Sequence, residues 1–491
     1  MAHTRRPTPL AGLLLLLSHL LGATALTFPA GPTPRIPPAC RRQIRVGRCD
    51  LGRRRRPGDV SLQVSSPSKG GSNNGKSVSV GIAGAGAVAM ATAALLHRNG
   101  HRPALWSPSG RGTADLAGPS LLNATGAITA IIRPDISSTA ADLCAGSDVI
   151  LLALPANGHA AVMDALAPHL DAERHTVIVS SHASLGALYL CGRFEEEEKK
   201  KRRRAEEEFQ APRPQLPIVA WGTTVVTARR SSGTEVRVCT VRSEIDLCTV
   251  PASATDHGVG VCRRLFGGEG EGGTTGAGGV TFRPRDGLLA ISLSNLNAQN
   301  HLGIVLANMS RIERGEAWSQ GGNITPNVGR LLEALDAERL NIASGCGLTV
   351  RTVREHFALS FHVPEGPVSD MNAAMVKKGN DVNGPSTVNT RYVTEDVPYG
   401  LVLICILGSM VGRPALLHDS GVRIVSAMYG EEFGRKNGLL EALGWLDGWT
   451  VEDVAEAGRT GRLPKGKTMG ASTCDIANRP RVSASQGWIR F

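Results

Sequence analysis

The ten cysteines of this 491-residue chain form no Cys-x-x-C pair, and no Cys/His group has zinc-ligand spacing. Neither a zinc module nor a disulfide-stapled scaffold is expected, and no metal site. Cysteines such as Cys144 and Cys405 stand in apolar stretches and read as small buried hydrophobes. Past the N-terminal segment no uninterrupted apolar run approaches the roughly 20 residues that cross a bilayer, so the mature chain is expected to be soluble, without a membrane partner. A basic surplus is also missing where a nucleic-acid surface would need one. The formal charge is +11, but residues 27–76 hold eleven Lys/Arg against Asp50 and Asp59, and Arg5 and Arg6 precede them. The remaining body is formally neutral, which argues against a nucleic-acid partner.

That basic N-terminal part has its own pattern. In residues 1–25, Arg5 and Arg6 precede an apolar run from Leu10 to Leu21 and the small-residue step Ala23-Thr24-Ala25, as in a signal peptide. Residues 26–76 are rich in Pro, Arg and Ser and poor in acids, a composition that cannot bury a core and reads as a disordered transit-like segment. Together they predict a plastid-like bipartite leader, with plain secretion as the alternative.

The body opens on an apolar strand, Val78 to Ala83, which runs into Gly84-Ala85-Gly86-Ala87-Val88-Ala89 and a helix-forming stretch to Arg98. Gly-x-Gly-x-x-Ala between strand and helix is a dinucleotide fingerprint. Gly84 allows the tight turn, Gly86 lets a pyrophosphate approach the backbone, Ala87 begins the helix whose N–H groups face that anion, and Ala89 is small enough for helix–strand packing. About 20 residues past such glycines an acid normally holds the ribose 2′-hydroxyl of NAD. Here Ser107-Pro108-Ser109-Gly110-Arg111 occupies that place. Ser107 and Arg111 suit a 2′-phosphate, so NADP is expected over NAD. Apolar strands at 148–154 and 177–181 follow, ending at Pro155 and His182. Both strand ends are expected to line the cofactor crevice, although His182 reads equally well as a structural histidine.

The pattern predicts an α/β N-terminal Rossmann domain over residues 78–285, followed by an all-α substrate domain over 286–444 and an extension over 445–491. Two insertions interrupt the first domain. Near 194–215, blocks of Glu and Lys/Arg read as a solvated helix or a loop, and near 267–279 a Gly-rich stretch reads as a loop. Apolar residues recur at helical spacing from Leu288 to Ile312, with Asn297 and His301 four apart on one face. A second helix is expected from Thr325-Pro326 and a third near Pro398. From composition alone Asp396 reads as a helix-terminal charge and Arg391 as a surface charge.

Five segments in order, Gly84 to Ala89, SSHASLGALYL (180–190), NLNAQNHLGIVLAN (295–308), EALDAERLNIA (333–343) and RYVTEDVPYG (391–400), together resemble the NAD/NADP octopine/nopaline dehydrogenases, the opine dehydrogenase family. The resemblance runs from about Val78 to Gly444 and implies a 6-phosphogluconate-dehydrogenase-like architecture. It also implies NAD(P)H-dependent, reversible condensation of an amino acid with a 2-oxo acid. By the same resemblance His301 pairs with Asp396 as the acid–base group, and Arg391, five residues before that Asp, binds a substrate carboxylate. The residue types agree with that chemistry: an imidazole oriented by a carboxylate moves protons near neutral pH, and a guanidinium grips a carboxylate bidentately. Asn297, one turn before His301, is a further candidate for substrate contact. A 2-hydroxyacid or ketopantoate-type reductase acting on a C–O bond, and a nucleotide-binding sensor without turnover, are the alternatives. A monomer or homodimer is expected.

Overall fold

The computed structural model describes residues 77–205, 214–267, 279–379 and 381–471. The leader lies outside these residues, as do residues 206–213 and 268–278 of the two insertions and the end of the C-terminal extension.

Among the described residues twelve strands form two sheets. They are β1 (Ser79–Ala83), β2 (Arg102–Trp106), β3 (Leu122–Gly126), β4 (Ala130–Ile132), β5 (Asp135–Ile136), β6 (Val149–Leu152), β7 (Thr176–Val179), β8 (Ile218–Trp221), β9 (Val226–Arg230), β10 (Glu235–Val241), β11 (Glu244–Val250) and β12 (Thr281–Pro284). The larger sheet runs β12-β11-β8-β7-β6-β1-β2-β5. From β5 to β8 every pair is parallel, whereas β11 pairs antiparallel with β8 and β12 parallel with β11. This part reproduces the strand order of a doubly wound dinucleotide domain, in which the order reverses at the boundary of β1 and β6 and leaves a crevice above their carboxyl ends. β6, β7 and β8 are buried at every position, which is why they read as continuous apolar runs and not as alternations.

A smaller sheet has the order β4-β3-β10-β9. It covers the outer side of the helix Ala87–Arg98, and residues Ala89 to Leu96 of that helix are consequently all buried. A helix apolar all round needs partners on more than one side, and here the two sheets supply them.

The remainder is helical, as expected. The predicted span Leu288–Ile312 is two helices, Gly287–Ser294 and Asn297–Glu313. The chain breaks at Asn295, whose side-chain carbonyl accepts the Asn297 N–H at 3.0 Å, an example of Asn competing for backbone donors. The helix expected from Thr325-Pro326 is Pro326–Gly345. The one expected near Pro398 is instead a single turn, Arg391–Thr394, a π-helical turn Val397–Leu401, and the helix Val402–Met410. In the first insertion, 194–205 continues the helix Gly186–Ala205, with Lys199–Glu195, Lys200–Glu197 and Lys201–Glu198 ion pairs along its surface. The described part of the C-terminal extension packs into the body: helix Val451–Thr460 lies against Gly287–Ser294 and β11, with Val454 and Ala457 buried.

Beneath the His301 helix lies a buried ionic cluster. The Asp336 carboxylate accepts from Gln299 Nε2 (2.9 Å), Arg339 Nη2 (2.6 Å) and the Val353 N–H (2.9 Å). Arg339, fully buried, also donates to the carbonyls of Leu293 and Arg351. One guanidinium thus ties the end of the Gly287–Ser294 helix to Pro326–Gly345, while Gln299 brings in the helix that carries His301.

Candidate functional site

The glycine loop is built as the fingerprint requires. Gly84 has φ +135° and a Cβ there would lie 2.3 Å from the Ala153 carbonyl oxygen, so no other residue fits. Its N–H donates to the Trp106 carbonyl at 2.8 Å, which fixes the loop to the end of β2. Gly86 caps the helix Ala87–Arg98, is exposed, and faces open space where a side chain would stand. No side chain caps the first-turn N–H groups of that helix. Such a seat fits a pyrophosphate. Ala89 is buried against the sheets and Ala87 is half-buried at the helix start.

At the end of β2, Ser107 is buried and accepts the Gly112 N–H at 3.2 Å, whereas Arg111 is exposed. A residue missed from the sequence also reaches this place. Arg230, at the end of β9, donates to the Ala85 carbonyl at 3.0 Å and to the carbonyls of Ser232 and Gly233. Its approach to the glycine loop depends on the packing of the β9–β10 hairpin against the helix Ala87–Arg98, a contact between segments far apart in sequence. Pro155 is exposed at the end of β6 and precedes a short helical turn.

His182 does not face the solvent-open crevice. It is buried, its Nε2 accepts the Ala187 N–H at 3.2 Å, and it lines a small inner cavity with Ser184, Ser292, Ala298 and Tyr399. Burial, and then the nearby His159, push its pKa down to about 3. A neutral structural histidine is what this environment supports. The segment around it is strained: Ser181, Ser184 and Leu185 all have positive φ (60°, 47° and 58°), at a cost on the order of 1–3 kcal/mol each. Specific bonds hold it. Ser184 Oγ donates to the Tyr399 carbonyl at 2.5 Å, and Asn437 Nδ2 donates to both Ser184 Oγ and the Pro398 carbonyl at 2.8 Å. The end of β7 is thereby fastened to the residues just after Asp396.

The His301 Nδ1 lies 2.7 Å from Asp396 Oδ2, across 95 residues of sequence. The two side chains are 16% and 13% exposed, enough for a small molecule to reach the outer ring nitrogen. With Nδ1 engaged by the carboxylate, Nε2 is the free edge. Asp396 therefore bonds the histidine and makes no side-chain cap to the π-helical turn that follows. A second residue missed from the sequence, Tyr392, stacks on the imidazole with centroids 3.5 Å apart and planes 8° from parallel, and its hydroxyl donates to Gln320 Oε1 at 2.6 Å. Asn297, at the first turn of the same helix, is exposed.

Arg391 is largely exposed, and its Nε lies 2.9 Å from Glu395 Oε2. Glu395, mostly buried, accepts the Ala156 N–H of the sheet domain on its other oxygen at 2.9 Å. Burial raises its pKa, with Arg391 and the Ala156 N–H opposing that rise. Among the described residues no group of three His, Cys, Asp or Glu is placed to hold a metal ion.

Comparisons with known proteins converge on one family. Residues 284–429 match the family model described as NAD/NADP octopine/nopaline dehydrogenase, alpha-helical domain. The opine dehydrogenase of Arthrobacter sp. (strain 1C) is 27% identical over 385 residues, which span 77% of this chain and 97% of that protein. By these matches the chain is similar to the opine dehydrogenase family. Its members are NAD(P)-dependent enzymes acting on CH–NH donors. Two solved structures share the fold. Octopine dehydrogenase with NADH and L-arginine superposes with a TM-score of 0.61 at 15% identity, covering 78% of this chain and 98% of that one. Yersinopine dehydrogenase with NADP+ gives 0.53 at 16% identity over the same shares. The matches favour chemistry on a C–N bond over the C–O reductase and sensor readings.

Proposed function

We propose that this opine dehydrogenase condenses an amino acid with a 2-oxo acid and reduces the resulting imine, with NADP as the preferred cofactor. The observation that carries the proposal is the His301–Asp396 pair at 2.7 Å in a partly open site, with the guanidinium of Arg391 on the same segment as Asp396. The octopine dehydrogenase structures, with L-arginine in one and pyruvate in another, are consistent with this substrate class.

NAD(P)H, when bound, supplies the hydride. The chain's own groups hold the partners and move protons. Arg391 grips the carboxylate of the oxo acid and so fixes its carbonyl carbon. His301, oriented by Asp396, gives a proton to the carbinolamine oxygen as it leaves as water, and in the reverse direction takes that proton back from the water that adds to the iminium carbon. Asn297, on the same helix face one turn earlier, contributes a hydrogen bond to the substrate. Arg391→Lys keeps the charge but loses the fork, so KM for the oxo acid should rise by about tenfold or more with kcat little changed. An unaltered KM removes Arg391 from the site.

The cofactor preference rests on the end of β2, where Ser107 and Arg111 stand and where an acid would favour NAD. Arg111→Ala should weaken NADPH binding, measured by fluorescence titration, and leave NADH binding within about twofold, since a single exposed charge–phosphate contact on the order of 1 kcal/mol is lost only from NADPH. Equal weakening of both would contradict the assignment.

A further inference from the structure

The carboxylates of Glu395 and Asp396 are adjacent in sequence but serve different neighbours. Asp396 turns to His301, whereas Glu395 bridges Arg391 and the Ala156 N–H. Ala156 follows the carboxyl end of β6, at the cofactor crevice, so this bridge ties the guanidinium to the domain that carries the nicotinamide. The contact is made through Arg391 Nε, and the two Nη nitrogens have no partner among the described residues. That is the arrangement in which an orienting carboxylate aims a guanidinium: the inner nitrogen is held and the outer edge is presented to an incoming carboxylate.

We infer that Glu395 is a positioning residue for substrate, holding Arg391 by its Nε so that the Nη edge meets the 2-oxo acid carboxylate at a fixed distance from the crevice. The inference rests on the proposed role of Arg391. It gives substrate binding a pH dependence. The charged groups that act on Glu395 are Arg391 and Asp396 on its own segment, and Tyr399 lies near enough for its phenol to sense the Glu395 charge; from the sheet domain it meets the Ala156 N–H. Its pKa lies above the ordinary carboxylate value because of burial. As pH falls through that raised value the carboxylate is protonated, Arg391 is released, and KM for the oxo acid rises.

The test is Glu395→Gln in the full enzyme, with steady-state kinetics over a pH series and NADPH titration by fluorescence. The amide keeps an acceptor for the Ala156 N–H but cannot pair with Arg391. KM for the oxo acid should rise about tenfold, kcat should stay within about twofold, and NADPH affinity should be unchanged, given what a charged hydrogen bond is worth. The rise of KM at acid pH expected of the unaltered enzyme should disappear. In an Arg391→Ala background the same change should have no further effect on KM, which tests the coupling even if the single variant is unstable. An unchanged KM and pH profile, or a loss confined to kcat, overturns the inference. If the unaltered enzyme shows no turnover with amino acid and oxo acid together, it is instead the functional proposal that fails.

Discussion

Replacing His301 with alanine should lower kcat by about 10² to 10⁴, the usual range for loss of a general acid–base group. The free-energy equivalent is large because a proton must move in the course of the reaction, and among the described residues no second titratable side chain is bonded to the Asp396 carboxylate. NADPH affinity should be retained, since His301 lies on a helix of the substrate region and the glycine loop is intact. Asp396→Asn should act in the same direction by removing the charge that stabilises the imidazolium, while the Tyr392 stack still fixes the ring plane. Single-turnover and steady-state rates over the pH range 6–10 read the effect; a His301→Ala enzyme within threefold of normal would end the acid–base assignment.

The second large effect falls on stability. Arg339→Met should lower the free energy of unfolding by about 3–5 kcal/mol, the usual result of leaving one member of a buried ion pair uncompensated. Arg339 is 0% exposed and Asp336 3%. Without the guanidinium, Asp336 keeps only the Gln299 amide and the Val353 N–H. The Leu293 and Arg351 carbonyls lose their donor as well. Because Gln299 stands two residues from His301, the active-site helix should loosen along with the core. The urea midpoint measures this. Adding Asp336→Leu should recover part of the loss, because removing both charges is far cheaper than removing one; no recovery would show that the bonds to Leu293 and Arg351 dominate.

What the sequence made legible was local. Gly84, Gly86 and Ala89 are recognised because a turn, an anion seat and a close packing contact each demand a small residue within six positions. The roles of Arg391 and Asp396 are not legible in that way, since on composition alone they read as a surface charge and a helix-terminal charge. The pairing of His301 with Asp396 spans 95 residues and came only through family resemblance. Tyr392 and Glu395 were passed over because their partners are remote: the ring on which Tyr392 stacks lies on another helix, and Glu395 reaches Ala156, 239 residues away. At His182 the strand end allows either a crevice residue or a structural histidine, and its burial behind the strained turn at 181–185 favours the second. The break at Asn295 was hidden because apolar spacing continues across it, and a single side-chain bond to the Asn297 N–H decides the geometry.

The reaction proposed for this enzyme is a two-substrate reductive condensation. Its most direct measurement is loss of reduced-cofactor absorbance by the purified enzyme, given NADPH with pooled 2-oxo acids, pooled amino acids, or both. Oxidation that requires both pools, with a secondary amine dicarboxylate as product, is the predicted result. Oxidation with the oxo acids alone, or none with any mixture of the two, would contradict it.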